Sequence, residues 1–256
     1  MPYLNPQNLI QKRLGDREQP HYGAALLVFR DHAHSMLLLK KLKRVRPIQY
    51  RLIYNLSNPH FEPLVYEAEI EGHNIIIVTR CVWGGPQTAI LVEELACLGV
   101  RYIIGDGVAG SIVETVPRGS LLAITSSLPT DGTSRAYGVE EICHPDAGLL
   151  DKACDFAHCH EWNLMKLQAA QVDALYCETP ELAGKFRDQG CQLINMESST
   201  FYALCRKRGI AGLWLGYVSD CLVGDKWDDW FAPVQDSPQR VMDLCCHVLA
   251  SCLKKA

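Results

Sequence analysis

The stretch "VRYIIGDGVAGSI", residues 100–112, places an apolar strand directly before three spaced glycines. Their spacing, Gly105-x-Gly107-x-x-Gly110, matches the dinucleotide-binding fingerprint, in which the third glycine opens a helix whose N-terminus faces a pyrophosphate. The segment that follows Gly110, "SIVETVPRGSLLAIT", is instead rich in β-forming residues and carries no helix-start signal. Because the βαβ context is missing, the sequence favours a tight turn whose glycines let the backbone approach another group closely.

Strands and helices alternate on both sides of this stretch, which predicts one α/β domain with a largely buried sheet over residues 23–256. Residues 1–22 are polar, contain three prolines and are predicted to form an arm or a short helix outside the core. Thr179 and Ser237 are expected to cap the helices that follow them. Strands are predicted over 24–29, 50–56, 63–80 (a hairpin), 100–105, 119–127, 164–175 and 210–220, and helices over 35–45, 85–99, 146–162, 179–190, 198–209 and 237–255.

The composition is ordinary for a globular protein, with 48% hydrophobic and 21% charged residues. The formal net charge of −4 offers no basic field for nucleic acid or for an anionic membrane. No apolar run has transmembrane length, and the first twenty residues lack a signal-peptide pattern, so the cytoplasm is the default compartment. Twelve cysteines without a C-x-x-C pair are expected to be free thiols rather than disulfides or zinc ligands.

Three ordered segments carry a family resemblance: "WGGPQTAILVEELACLGVRYIIGDGVAGSI" (83–112), "INMESSTFYALCRKRGI" (194–210) and "LWLGYVSD" (213–220). Together they resemble the nucleoside phosphorylase/nucleosidase family, which includes purine nucleoside phosphorylases, uridine phosphorylases and methylthioadenosine/S-adenosylhomocysteine nucleosidases. The resemblance covers residues 24–225 and implies a three-layer α/β/α sandwich around a mixed central sheet. It also implies a homo-oligomer, a dimer or hexamer with active sites near subunit contacts, a nucleoside as the partner molecule, and no cofactor.

Cleavage of an N-glycosidic bond develops positive charge on the sugar and negative charge on the departing base. In the family, the Glu that matches Glu197 binds the ribose hydroxyls, and the Met that matches Met196 packs on the sugar. A carboxylate accepts two hydrogen bonds, which suits a cis-diol. The local sequence alone favours an exposed glutamate at a helix N-terminus, whereas the whole family pattern favours the sugar site for Glu197.

Asp220 ends an apolar strand, where poor solvation favours the protonated form of a carboxyl. In purine-cleaving members the matching Asp protonates or hydrogen-bonds N7 of the base, so Asp220 favours a purine-type base; the alternative is a loop cap. Leu175 and Tyr176 fall where members carry a base-stacking aromatic, although both also fit a core. Arg135 lies in "TDGTSRAYG", which resembles a variable loop near the ribose 5′ end, and with Arg30 it is a candidate for binding an anionic 5′ substituent.

The positions that bind phosphate in phosphorylases are altered here. In the Gly-Asp-Pro-x-Arg turn of phosphorylases, the Gly position is Arg30 and the Arg position is His34; a second phosphate Arg is replaced by Gly105. Val108, beside Gly107 in the sugar-side glycine turn, replaces a phosphate-binding hydroxyl. Since phosphate binding needs fixed charged donors, above all Arg, most of that site is lost.

A water nucleophile needs a base, and His34 and Asp31 are the candidates. The leading hypothesis is therefore a nucleosidase that hydrolyses a purine-type nucleoside, with Asp220 as the acid, Glu197 on the ribose and His34 or Asp31 orienting the water. The alternatives are a phosphorylase with a rebuilt phosphate site and a catalytically silent relative that binds a nucleoside. Metal sites at "DHAH" (31–34) or at Cys154 and His158 have too few ligands, so the sequence predicts no metal.

Overall fold

The centre of the fold is a mixed β-sheet built from ten strands of the described residues, which in the computed structural model are 3–53, 62–223, 226–228 and 234–254. The sequence-based prediction of an α/β fold around a mixed sheet is confirmed. The strands are β1 Ala24–Val28, β2 Lys43–Pro47, β3 Val65–Ile70, β4 His73–Val78, β5 Tyr102–Ser111, β6 Leu121–Pro129, β7 Leu164–Gln171, β8 Leu193–Asn195, β9 Ala211–Val223 and β10 Lys226–Trp227. The helices are α1 Pro6–Leu14, α2 His32–Lys41, α3 Gly85–Cys97, α4 Gly132–Ala136, α5 Ala147–Cys159, α6 Pro180–Asp188, α7 Ser198–Arg208 and α8 Ser237–Leu253, with a short 3₁₀ turn at Leu175–Cys177.

The sheet runs in the order β10-β9-β6-β7-β8-β5-β1-β4-β3-β2, and β9 also pairs with β5. Strands β5, β8, β7, β6 and β9 therefore close into a ring. Strand β5 pairs in parallel with both β1 and β9, so the C-terminal ends of these three strands meet at one edge. Such an edge is the usual location of ligand sites in α/β sheets.

Helices cover the two faces of the sheet. Side chains of α1, α3 and α7 pack into one core with Trp214 and Ile103, whereas those of α2, α5 and α8 pack into another with Leu213 and Ile104. Alternate residues of β5 and β9 point to opposite faces, so both faces of these strands are apolar and buried.

Helix α1 corrects one expectation about the N-terminal segment. Ile10 and Leu14 are buried in the core on the α3 side of the sheet, so this part of residues 1–22 does not lie outside the core. Asn5 caps the helix by accepting from the backbone N–H of Gln7, and Arg13 pairs with the buried Glu94 of α3 at 2.9 Å. The division into an arm and a catalytic domain over 23–256 stays a prediction.

The glycine-rich stretch 105–110 corrects a second expectation, because it is not a turn. All six residues lie inside β5. An added Cβ on Gly105 or on Gly107 would lie 2.5 Å from the ring of Trp214, and one on Gly110 would lie 2.5 Å from Leu222. The glycines therefore make room for large side chains of β9 against the backbone of β5, as close approach requires.

Smaller differences have local causes. The helix predicted over 35–45 ends at Lys41, and residues from Lys43 form the edge strand β2 instead. Residues 50–53 of the strand predicted over 50–56 are irregular, and the rest lie outside the described residues. Ser237 begins α8 instead of capping it, and its hydroxyl donates to the carbonyl of Gly119 at 2.6 Å.

Two general properties follow from the coordinates. All twelve cysteines are free thiols, as the sequence predicted. Across the described ranges, every helix is too short or too polar to cross a membrane.

We expect Gly105→Ala to lower the free energy of unfolding by about 1–3 kcal/mol, because the new methyl group would overlap the Trp214 ring in a packed core. Denaturant unfolding measures the change. The control is Gly184→Ala in α6, where the new methyl group would meet only the mobile end of Arg187 at 3.6 Å, so this variant keeps or slightly gains stability. Equal stability of the two variants would contradict the close packing of β5 against Trp214.

Candidate functional site

A cavity of about 640 Å³ opens at the edge where β1, β5 and β9 end. Most of its lining comes from residues at or just beyond the ends of strands, and the remainder from the loop before α3 and from the segment before α6. It is lined by Phe29, Arg30, Asp31, Arg80, Cys81, Trp83, Val108, Ala109, Gly110, Leu175, Glu178, Ile194, Asn195, Met196, Glu197, Tyr217, Ser219 and Asp220.

Glu197 lies at the N-terminus of α7 and is held in place by two donors. The backbone N–H of Gly84 donates to its Oε1 at 2.9 Å, and the Asn195 side-chain amide donates to its Oε2 at 2.9 Å. Asn195 also accepts from the backbone N–H groups of Glu197 and Ser198, so it caps α7. Burial raises the pKa of Glu197 to about 7, although these hydrogen bonds lower it in part. A fixed carboxyl group that can bind or release a proton near neutral pH therefore lines the cavity.

Asp220 lies beside Gly110, where the missing side chain of β5 leaves room for it. Its Oδ1 accepts from the hydroxyl of Ser219 at 2.6 Å, and its Oδ2 accepts from the indole N–H of Trp227 at 2.9 Å. Both oxygens of this buried carboxyl group are thus hydrogen-bond acceptors. Asp220, like Glu197, therefore has a fixed orientation, which a group that contacts a ligand requires.

Arg30 follows β1 and lies over the ring of Tyr217, with its guanidinium carbon 4.3 Å from the ring centre. Its Nη2 donates to the Tyr217 hydroxyl, whereas its Nη1 is buried and has no hydrogen-bond partner among the described residues. An unpaired guanidinium donor beside a cavity can bind an anionic or a neutral acceptor atom of a ligand.

His34 does not line the cavity, in contrast to its assignment as a base. Its side chain is buried under α2, and its Nε2 lies 2.7 Å from Oδ2 of the fully buried Asp106. The backbone explains this placement: Asp31 caps α2 by accepting from the N–H of His34, which turns the His34 side chain toward the sheet. This pairing was not predictable from the sequence, because Asp106 and His34 are far apart in the chain.

The other predicted site residues divide into two groups. The structure brings Asp31, Val108, Leu175, Met196 and Arg30 to the cavity with Glu197 and Asp220. It does not bring Gly107, Tyr176 and Arg135 there: Gly107 faces Trp214, Tyr176 is 99% exposed, and Arg135 lies on the surface of α4.

Several lining residues were missed by sequence reasoning, and Glu178 is the most important. It is half-buried, and burial together with the charge of Asp220 raises its pKa to about 7. Arg80 was missed as well; its guanidinium pairs with Glu62 at 2.8 Å. The only available signal for Glu178 was its position three residues after Leu175, in the segment assigned to the base.

Metal binding finds no support in the part of the chain that the structure describes, where no three His, Cys, Asp or Glu side chains converge on one point. Among the described residues, the buried side-chain nitrogen and oxygen atoms without a hydrogen-bond partner belong to Arg30, His34, Asp106 and Trp214. The chemistry open to the cavity is therefore that of four carboxyl groups (Asp31, Glu178, Glu197 and Asp220) and two guanidinium groups (Arg30 and Arg80).

Comparison with known proteins shows which family model and which solved structures this chain resembles. A sequence model described as the phosphorylase superfamily matches residues 47–254. The guanosine phosphorylase of Halorubrum lacusprofundi is 28% identical over 147 residues, which is 57% of this chain and 61% of that protein, so the match spans about three fifths of the relative.

Two solved structures share the fold. The purine nucleoside phosphorylase of Toxoplasma gondii, solved in complex with immucillin-H, superposes with a TM-score of 0.79 at 18% identity, with both chains fully covered. The 5′-methylthioadenosine/S-adenosylhomocysteine nucleosidase of Campylobacter jejuni superposes with a TM-score of 0.76 at 18% identity, covering 90% of this chain and 99% of that one.

We expect Asn195→Ala to lower the free energy of unfolding by about 1–3 kcal/mol, because it removes the cap of α7 and one hydrogen bond to the buried Glu197. Thermal or denaturant unfolding measures the loss. Asn8→Ala on the exposed face of α1 is the control and stays within about 0.5 kcal/mol of the parent protein. If the two variants are equally stable, Asn195 does not hold α7 and Glu197 together.

Proposed function

The chain belongs to the phosphorylase superfamily, and on that basis we propose that it cleaves the N-glycosidic bond of a purine-type nucleoside by hydrolysis. The observation that carries the proposal is the fixed, buried carboxyl group of Glu197 beside Met196, in the same cavity as Asp220. Glu197 accepts the ribose hydroxyls, Met196 packs on the sugar, and Asp220 and Leu175 lie at the base. The positive charge that develops on the sugar is stabilised by the nearby carboxylates.

Three positions lack the cationic donors that a phosphate ion needs, and this supports water as the nucleophile. Gly105 is packed against Trp214 and leaves no space for an arginine, Val108 presents only methyl groups, and His34 is paired with Asp106 away from the cavity. A phosphate ion needs fixed cationic donors, and none of these positions supplies one.

Asp31 is the candidate for orienting the water. It lines the cavity, and its Oδ1 is used by the cap of α2, while its Oδ2 has no partner among the described residues. An exposed carboxylate oxygen accepts a hydrogen bond from water and directs the water lone pair toward a carbon atom nearby.

Phosphorolysis is the second candidate, and one observation favours it. Nη1 of Arg30 is buried, unpartnered and beside the cavity, so it supplies one of the donors that an anion needs. In that case Arg30→Gln raises the KM for phosphate. If the protein is a hydrolase, the Arg30→Gln variant cleaves the nucleoside at a rate that does not depend on phosphate.

The deciding experiment incubates the protein with purine and pyrimidine nucleosides, with and without inorganic phosphate, and follows the free base and the sugar product. The proposal predicts free ribose from a purine nucleoside at a rate that phosphate does not change. A requirement for phosphate, or ribose 1-phosphate as the product, would establish the second candidate. Tight binding of a nucleoside without turnover would identify a silent relative.

We expect Glu197→Gln to lower kcat/KM for a purine ribonucleoside by about 100-fold, because an amide cannot accept from two hydroxyls and also keep the Gly84 and Asn195 donors satisfied. The preference for ribonucleosides over 2′-deoxyribonucleosides falls at the same time. Parent affinity rises with pH through about 7, since the ionised carboxylate is the form that accepts the hydroxyls.

Glu181→Gln is the matched control, since Glu181 is an exposed glutamate of α6 that pairs with Lys185. Its kinetics equal those of the parent protein. A Glu197→Gln variant that keeps the full preference for ribonucleosides would remove Glu197 from the sugar site.

A further inference from the structure

Glu178 is a carboxyl group of the cavity that the function proposed above leaves without a role. It lies between the 3₁₀ turn Leu175–Cys177 and Thr179, the cap of α6. It is half-buried and lines the cavity, and its carboxyl group has no hydrogen bond or ion pair with any described residue. Since no contact within the fold accounts for this acid, its available partner is whatever occupies the cavity.

Asp220 lines the same cavity but has the opposite environment. The Ser219 hydroxyl and the Trp227 indole N–H donate to its two oxygens at 2.6 Å and 2.9 Å. Both carboxyl oxygens of Asp220 are thus engaged as acceptors within the fold, whereas those of Glu178 are not.

The surroundings of Glu178 favour the form that holds a proton. Burial and the nearby charge of Asp220 raise the pKa of Glu178 to about 7, so a large share of Glu178 holds its proton at neutral pH. An unpartnered carboxyl group that holds its proton in a cavity is available as the acid of a site. The remaining ionisable side chains that line the cavity are Arg30, Asp31, Arg80, Cys81, Glu197 and Tyr217.

We propose that Glu178, and not Asp220, donates the proton to the departing base, and that Asp220 is a positioning residue whose negative charge keeps that proton on Glu178. The proposal rests on the N-glycosidic cleavage proposed above. It differs from the sequence-based hypothesis, in which Asp220 is the acid and Glu178 has no role.

The step balances without any further reactant. The bond between C1′ and the base nitrogen breaks, and its electron pair passes to the base, which takes the proton from the Glu178 carboxyl. Water adds to C1′ through its oxygen and releases one proton, which restores the acid form of Glu178. One water molecule is consumed, and one free base and one free sugar are formed.

The first test measures the activity of the Glu178→Gln variant on two substrates. One is a purine ribonucleoside, whose base leaves only when protonated; the other is 4-nitrophenyl β-D-ribofuranoside, whose leaving group needs no proton. We expect kcat for the nucleoside to fall about 100-fold with KM nearly unchanged, and kcat for the nitrophenyl riboside to equal that of the parent protein. The readout is the ratio of the two kcat values.

Other outcomes identify other roles for Glu178. A raised KM for the nucleoside with unchanged kcat would mean that Glu178 only binds the base. Equal losses on both substrates would mean a structural role, which thermal unfolding checks independently. A Glu178→Gln variant that keeps the kcat of the parent protein on the nucleoside would also overturn the proposal.

The second test uses the pH profile of Asp220→Asn. Removal of the negative charge lowers the pKa of Glu178, so the alkaline fall of kcat for the nucleoside moves to lower pH. If Asp220→Asn instead abolishes nucleoside cleavage while Glu178→Gln remains fully active, Asp220 is the proton donor and the proposal is wrong.

Glu181→Gln again provides the control, because it makes the same chemical change three residues along at an exposed site. It keeps the parent kinetics on both substrates. Parent protein that cleaves neither substrate overturns the proposed function and the role of Glu178 with it. Parent protein that cleaves the nucleoside, together with a fully active Glu178→Gln, overturns only the role of Glu178.

Discussion

The contact between Trp214 and the glycines of β5 is the constraint on which the rest of the structure depends. Trp214 is fully buried, and its ring occupies the space that side chains on Gly105 and Gly107 would fill. This contact and the pairing along their whole length fix β9 to β5, and β5 in turn is paired with β1. The C-terminal ends of the three strands carry Arg30, Val108 and Asp220. The glycines therefore position the cavity without contacting a ligand, and a phosphate-binding interpretation of their spacing mistakes a packing requirement for a chemical one.

The charged side chains that line the cavity differ in the groups that each of them contacts. The guanidinium of Arg30 is stacked on Tyr217, and that of Arg80 is paired with Glu62. Asp220 receives two donors, whereas the Glu178 side chain receives none from the described residues, and burial with the charge of Asp220 raises the pKa of Glu178 to about 7. Residue identity alone does not distinguish the two carboxyl groups, whereas their surroundings do.

The sequence predicts those features that local pattern determines and misses those that depend on distant contacts. The hairpin of β3 and β4, the helix that begins at Gly85 and the cap at Thr179 follow from alternation, apolar spacing and capping chemistry. Glu197, Met196 and Asp220 were predicted as site residues because ordered motifs mark them, and all three line the cavity. The strand conformation of 105–110, the burial of α1, the pairing of His34 with Asp106 and the exposure of Glu178 to the cavity all require knowledge of which distant residue lies opposite, and a single sequence does not contain it.

The closed ring of strands also orders events during synthesis of the chain. Tyr102 of β5 pairs with Ala211 of β9, more than one hundred residues later, and β8 and β9 are the last ring members to be made. Until β9 emerges from the ribosome, β5 presents a glycine-rich edge with no tryptophan against it, and such an unpaired edge is prone to pair with other chains. The cavity thus forms only after β9 has been made, because a chain truncated before β9 lacks Tyr217, Ser219 and Asp220 of the lining.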